Sequence, residues 1–187
     1  PGHPKSMYGW GGNYIWGSEK ETPDSQSFTF DFEKFTMTCD SGNATKYMSK
    51  ASTEIRMDPN RFPEWRTNAD RIEIYGTEGL MFLARHGGGW QVYGAKEQLI
   101  AQGGGIHPDK EQQINFIESI RSRKQPNAGM EQSHLSATLV HMANIAYRTG
   151  NKQLVFDAAT EKFVDNDEAN KLVKKSYREN YQIPDKV

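Results

Sequence analysis

The stretch "RIEIYGTEGLMFLARHGGGW", residues 71–90, decides the fold because glycines punctuate it at positions 76, 79, 87, 88 and 89. Glycines after an apolar run are typical either of a loop that cradles a phosphate at a helix N-terminus or of turns between strands. Here the run "LMFLAR" is too short to form a helix before the next glycines. The stretch therefore predicts a β-meander, continued by "WQVYG" and "EQLIAQ", and no dinucleotide site.

Alternating side chains predict further strands upstream of the meander. "KSMYGWGGNYIW", residues 5–16, alternates aromatic with small or polar residues, and "SQSFTFDF" places Phe28, Phe30 and Phe32 at period two. "FTMTCDS" repeats that pattern and predicts a hairpin in which Cys39, the single cysteine, is packed as a small apolar residue. Residues 41–70 lose the alternation and predict a long polar loop or insertion.

After the meander the apolar period becomes helical. Residues 108–124 carry Ile114, Ile117 and Ile120 on one face, and residues 130–148 form a second helix closed by Gly150. The second helix has an apolar stripe of Leu135, Leu139, Met142 and Ala146. Two short strands ("KQLVFD" and "EKFV"), a short helix ("NDEANKLVKK") and an irregular tail, residues 176–187, follow.

Strands followed by helices predict one α+β domain over residues 1–187. Its mostly antiparallel sheet should have helices packed on one face, with the other face open. The chain is 35% hydrophobic and 25% charged, with a net charge of -1, so the composition gives no electrostatic case for a nucleic-acid partner. No apolar run approaches the ~20 residues that span a bilayer, so we expect no membrane partner.

Candidate binding residues lie in the loop before residue 71 and beside the glycine runs. An exposed indole with amide and guanidinium donors can stack on a sugar ring and bond its hydroxyls. His86 and His107 lie beside runs of glycine, where loops often carry functional residues, so both are candidate binding residues. The sequence thus predicts a substrate site formed by Trp65, Arg66, Asn68, Arg71, His86 and His107.

The sequence shows neither a recognisable catalytic centre nor a metal motif. His134 and His141 share a helical face but are seven residues apart, whereas metal-binding histidines on a helix are usually four apart. We expect no metal site, and His134 is interpreted as a capping or surface residue. Two alternatives stay open. One is a stand-alone carbohydrate-binding module whose site is formed by Trp65, Trp90 and the glycine-flanked histidines His86 and His107; the other is a small α+β enzyme with His107 or His134 as base.

Several motifs in order resemble the C-terminal domain of the Gfo/Idh/MocA oxidoreductases, the family of glucose–fructose oxidoreductase and inositol dehydrogenase. They are "RIEIYGTEGLMFL", "INFIESIRSRKQPNA", "EQSHLSATLVHMANIAYRTGNKQLVFD" and "FVDNDEANKL". The likeness is to a bacterial branch and runs from about Met7 to Tyr177. It implies a parent that binds NAD or NADP and moves hydride to or from a sugar or cyclitol carbon, in the bacterial cytoplasm or periplasm.

The resemblance also implies what this chain contributes to such a parent. The family's glycine fingerprint, its E-K-P lysine motif and its D-x-G-x-H-x-x-D helix are absent from the 187 residues, so no catalytic or cofactor-binding residue carries over. We expect the chain to be inactive alone. In relatives the segment corresponding to "WRTNAD" approaches the substrate, and the open sheet face pairs with another subunit, which implies a homodimer or higher oligomer.

Overall fold

A computed structural model describes residues 2–17, 20–42, 70–84, 89–105, 107–175 and 177–181. The strands are β1 (Ser6–Gly12), β2 (Ser25–Asp31), β3 (Thr36–Gly42), β4 (Arg71–Tyr75), β5 (Gly79–Ala84), β6 (Trp90–Gly94), β7 (Leu99–Gly103), β8 (Leu154–Asp157) and β9 (Lys162–Phe163). The helices are α1 (Asp109–Ser122), α2 (Met130–Arg148) and α3 (Asp167–Val173), and a 3₁₀ turn covers Glu179–Tyr181.

The α+β class is confirmed, and the strands are divided between two antiparallel sheets. One sheet has the order β3-β2-β1-β8-β9 and the other the order β4-β5-β6-β7. The chain forms two compact units: residues 1–44 with 130–187, and residues 45–129. The prediction of one domain stays a prediction, and the polar loop predicted over residues 41–70 lies almost wholly outside the described residues.

The core of the first unit lies between its sheet and α2. Met7 of β1 and Phe30 of β2 face each other in register and are almost completely buried. They contact Met142 and Ala146 of α2, which belong to the apolar stripe predicted from the sequence. Leu139 packs at the edge of the same cluster. The predicted stripe is thus the face that α2 presents to the core.

Gly150 ends α2 as the sequence predicts. Its φ of +89° is a left-handed conformation that favours glycine. The amide of Asn151 donates a hydrogen bond to the carbonyl of Ala146 at 2.9 Å. The amide of Gly150 donates one to the carbonyl of Tyr147 at 3.2 Å. These bonds satisfy carbonyls at the helix end that have no partner within the helix.

The second unit contains the predicted meander. The amide of Gly76 donates to the carbonyl of Gly79 at 2.9 Å, closing the β4–β5 turn. A Cβ at position 79 would lie 2.2 Å from the carbonyl oxygen of Tyr93, so the close approach of β6 requires glycine there. These two glycines serve strand turns and strand packing.

The two faces of β4 carry different kinds of side chain. The register places Ile72 and Ile74 of β4 beside Leu83 and Met81 of β5, on one apolar face. Ile72 is 55% exposed and Ile74 is 52% exposed. The other face carries Arg71, Glu73 and Tyr75 at alternate positions of β4. Ile72 and Ile74 are thus more exposed than Arg71 and Glu73, whose side chains are 27% and 24% exposed, while Tyr75 is 74% exposed.

Helix α1 has the predicted bounds within two residues, but none of its residues is buried. Ile114, Ile117 and Ile120 are all nearly half exposed. Cys39 lies in β3 and is only partly buried, so it is less enclosed than the sequence suggests. Among the described residues, no helix is both long enough and apolar enough to cross a bilayer.

Candidate functional site

Two of the six predicted substrate residues lie within the described structure, namely Arg71 and His107. Trp65, Arg66, Asn68 and His86 lie outside the described residues. Arg71 opens β4 and pairs with Ala84 at the end of β5. Arg71 is therefore the first residue of the four-stranded sheet.

A hollow of about 280 Å³ surrounds the start of β4. Its lining consists of Asp70, Arg71, Ile72, Leu83 and Ala84. It combines one acidic and one basic side chain with apolar neighbours, the mixture that orients a small polar molecule in a ligand pocket. The volume lies just below the range of about 300–1,000 Å³ that is typical of ligand pockets.

Arg71 is held by its neighbours on the same face of β4. Residues two apart on a strand point to the same side of the sheet, so Arg71, Glu73 and Tyr75 form a row. The Nε of Arg71 donates to Oε1 of Glu73 at 2.6 Å, and the Tyr75 hydroxyl donates to Oε2 of the same carboxylate. This row fixes the direction of the guanidinium group beside the hollow.

The hydrogen bonds in this row shift the pKa values of two of its members, Glu73 and Tyr75. The hydrogen bond from Arg71, followed by that from Tyr75, lowers the pKa of Glu73 below its ordinary value. The hydrogen bond to Glu73 raises the pKa of the Tyr75 phenol. Glu73 is therefore ionised and Tyr75 protonated at neutral pH, which gives Arg71 a counter-charge. The arrangement presents a charged hydrogen-bond donor at the edge of the hollow.

His107 is not among the described residues that line the hollow. It is in the segment before α1, where its Nδ1 is 3.2 Å from Oδ1 of Asp109. The side chain of His107 is 26% exposed. The assignment of His107 to the substrate site stays a prediction.

A second cluster of reactive side chains lies in the first unit. His134 Nε2 is 2.6 Å from Oε1 of Glu161, and His3 Nε2 is 3.2 Å from the same oxygen. Among the described residues, these three form a group whose potential ligand atoms lie within 4.8 Å of one another. No local motif marks this cluster, because 131 and 27 positions separate its members. His134 is exposed, as the sequence predicts, but the sequence does not predict its contact with Glu161.

The carboxylate in this cluster is strongly held in its charged form. The hydrogen bond with His134 is the largest influence and lowers the pKa of Glu161. Desolvation acts in the opposite direction but is weaker, and His3 adds a smaller favourable contribution. The group therefore presents an anion to two imidazoles at neutral pH.

The described residues form an α+β fold with two antiparallel sheets. Residues 96–183 match the sequence model of the Gfo/Idh/MocA oxidoreductase family, C-terminal alpha/beta domain. The resemblance seen in the sequence is thus confirmed by a family match over this segment. No curated protein matches the chain.

Solved structures agree at the level of the fold. A "putative oxidoreductase" from Klebsiella pneumoniae has a TM-score of 0.57 at 14% identity, covering 91% of this chain and 47% of its own. A second, from Thermotoga maritima, has a TM-score of 0.55 at 13% identity, covering 83% of this chain and 41% of its own. The chain thus spans less than half the length of these two structures.

Proposed function

We propose that this chain is the substrate-binding and oligomerisation domain of an NAD(P)-dependent oxidoreductase that acts on a sugar or cyclitol. The family match supports the oxidoreductase class. The substrate assignment rests on the hollow at the start of β4. There the guanidinium of Arg71, which is hydrogen-bonded to Glu73, lies among apolar lining residues. The nicotinamide cofactor supplies the hydride chemistry and would be bound by a domain outside these 187 residues.

In this proposal Arg71 binds and orients the substrate and takes no part in bond breaking. A guanidinium group donates to hydroxyl oxygens and cannot act as a base at neutral pH. Glu73 and Tyr75 position it through the row of hydrogen bonds on β4. Trp65, Arg66 and Asn68, which the sequence also assigns to the substrate site, lie two to five positions before Asp70 in the sequence.

Steady-state kinetics of the full-length parent tests this assignment. Arg71→Ala should raise the KM for the sugar about tenfold or more, since a hydrogen bond from a charged group contributes about 1.5–3 kcal/mol. The KM for NAD(P) should stay unchanged. Arg121→Ala, at an exposed position in the last turn of α1, is the matched control and should leave both constants unchanged.

The same measurement separates this proposal from its alternative. If Arg71→Ala leaves the sugar KM at the wild-type value, the hollow is not the substrate site. A stand-alone carbohydrate-binding module would instead bind sugars tightly as the isolated chain and would contribute nothing to hydride transfer.

The open apolar face of the four-stranded sheet supports a second part of the proposal, self-association into a homodimer or higher oligomer. Contiguous exposed apolar surface on a sheet is costly in water and is typical of an interface. A two-fold axis places the same patch of each copy against the other, so a uniformly apolar face is complementary to itself.

A further inference from the structure

His3, His134 and Glu161 come from three segments that are distant in the sequence but belong to one compact unit. His3 precedes β1, His134 lies in the second turn of α2, and Glu161 lies in the turn between β8 and β9. The backbone near His3 is held on both sides, because the Lys5 amide donates to Asp31 and the Lys5 carbonyl accepts from Phe156. The three side chains are therefore brought together by the sheet and the helix packed on it.

The distances fit ligands around one small cation. Zinc binds imidazole nitrogen and carboxylate oxygen at about 2.0–2.2 Å in tetrahedral geometry, which separates the ligand atoms by roughly 3.3 Å. Oε1 of Glu161 is 3.2 Å from His3 Nε2 and 2.6 Å from His134 Nε2. To admit the ion, the separation of His134 Nε2 and Glu161 Oε1 would have to lengthen by about 0.7 Å, through movement of these two exposed side chains.

Burial differs between the three residues in a way that suits a metal site. The His3 side chain is only 10% exposed and packs edge-on against Phe156, with ring centroids 5.4 Å apart. Its Nδ1 is buried and has no hydrogen-bond partner among the described residues, so its Nε2 makes the polar contact of the ring. His134 is 56% exposed and Glu161 47% exposed, which leaves a fourth position open to solvent.

We propose that His3, His134 and Glu161 bind one divalent transition-metal ion, with zinc as the reference ion and water as the fourth ligand. Two imidazoles and one carboxylate suit zinc and its neighbours in the first transition row. Calcium and magnesium prefer sets made of oxygen ligands. The ion would tie the segment before β1 to α2 and to the β8–β9 turn, independently of the substrate hollow.

Calorimetric titration with zinc chloride tests the site on the full chain, prepared without a polyhistidine tag and stripped with a chelator. We expect one ion per chain and a rise in the midpoint of thermal unfolding with zinc, since a ligand that binds the folded state stabilises it. His134→Ala and Glu161→Gln should each weaken zinc binding at least about tenfold, because even residues that only orient metal ligands contribute about 10- to 100-fold.

His141→Ala is the matched control, because His141 is exposed on the same helix and lies outside the cluster. It should bind zinc as the wild type does. The proposal is overturned if the wild type binds no stoichiometric zinc, or if His134→Ala binds zinc as tightly as His141→Ala. Cobalt provides a second readout: the intense visible absorption of four-coordinate Co²⁺ should appear with the wild type and vanish with His134→Ala, and absorption unchanged by that substitution contradicts the site.

Discussion

Asp24 is the clearest case of a single side chain that organises its surroundings. It is 2% exposed, and its Oδ2 accepts hydrogen bonds from the amides of Ile15 at 2.7 Å and Trp16 at 3.2 Å. Burial acts to raise the pKa of Asp24, but the amides of Ile15, Tyr14 and Trp16 together outweigh it, so the pKa lies below its ordinary value. The carboxylate thus fixes the chain that follows β1.

This lowered pKa predicts a pH dependence of stability. A group whose pKa is lower in the folded state contributes stability that is present above its unfolded pKa and is lost as the pH falls through the folded pKa. We expect the free energy of unfolding to decrease below about pH 4. In Asp24→Asn this decrease should be smaller, because the amide does not titrate.

Urea unfolding at a series of acidic pH values measures the effect of Asp24. The account of this residue is contradicted if wild type and Asp24→Asn lose stability in parallel as the pH falls.

Some residue-scale features follow from the sequence and others do not. Arg71, Glu73 and Tyr75 alternate along one strand, so their shared face can be predicted from the period of two. His3, His134 and Glu161 meet only because β1, α2 and the β8–β9 turn pack together, and no spacing in the sequence carries that information. The partial exposure of Cys39 likewise depends on what covers β3.

At the scale of elements, the apolar pattern of α2 determines which of its side chains pack in the core. Met142 is 1% exposed within the core, whereas Val140, two positions earlier, is 60% exposed. Met142→Ala should lower the free energy of unfolding by about 2–5 kcal/mol, because it removes buried methylenes and leaves a cavity. Val140→Ala, the control on the opposite face, should change the free energy of unfolding by less than about 0.5 kcal/mol.

Urea denaturation at neutral pH, followed by far-ultraviolet circular dichroism, compares the two variants. Equal losses of stability would mean that the face of α2 assigned to the core is wrong.

The periodic elements could be predicted because their signals are local. The bounds of α2 agree with the predicted helix, and the four strands of the meander appear where alternation and glycine turns predict them. The environment of α1 could not be predicted from its pattern. Ile114, Ile117 and Ile120 form an apolar row, but a row alone does not reveal whether anything covers it, and here they are nearly half exposed.

At the scale of the whole molecule, the apolar face of β4 and β5 predicts self-association. Ile74→Glu would place a charge at a side chain that is 52% exposed in the single chain, so folding should be retained while the interface is disrupted. We expect sedimentation velocity to show a dimer or higher oligomer for the wild type and a shift to monomer for Ile74→Glu.

Ile114→Glu is the control for self-association, because it introduces the same charge at a similarly exposed isoleucine that belongs to α1 and not to the sheet. A wild-type monomer, or equal dissociation by both substitutions, would contradict the assignment of the interface.

The central proposal is that this chain shapes the substrate site and that the nucleotide cofactor binds to another part of the parent protein. The glycines of residues 71–90 are the feature that could contradict it, because a phosphate cradle and a meander use the same residue type. Fluorescence titration of the chain with NADH and NADPH is the most direct test. We predict no saturable change with either nucleotide, whereas saturable binding would show that the chain carries its own cofactor site and that this proposal is wrong.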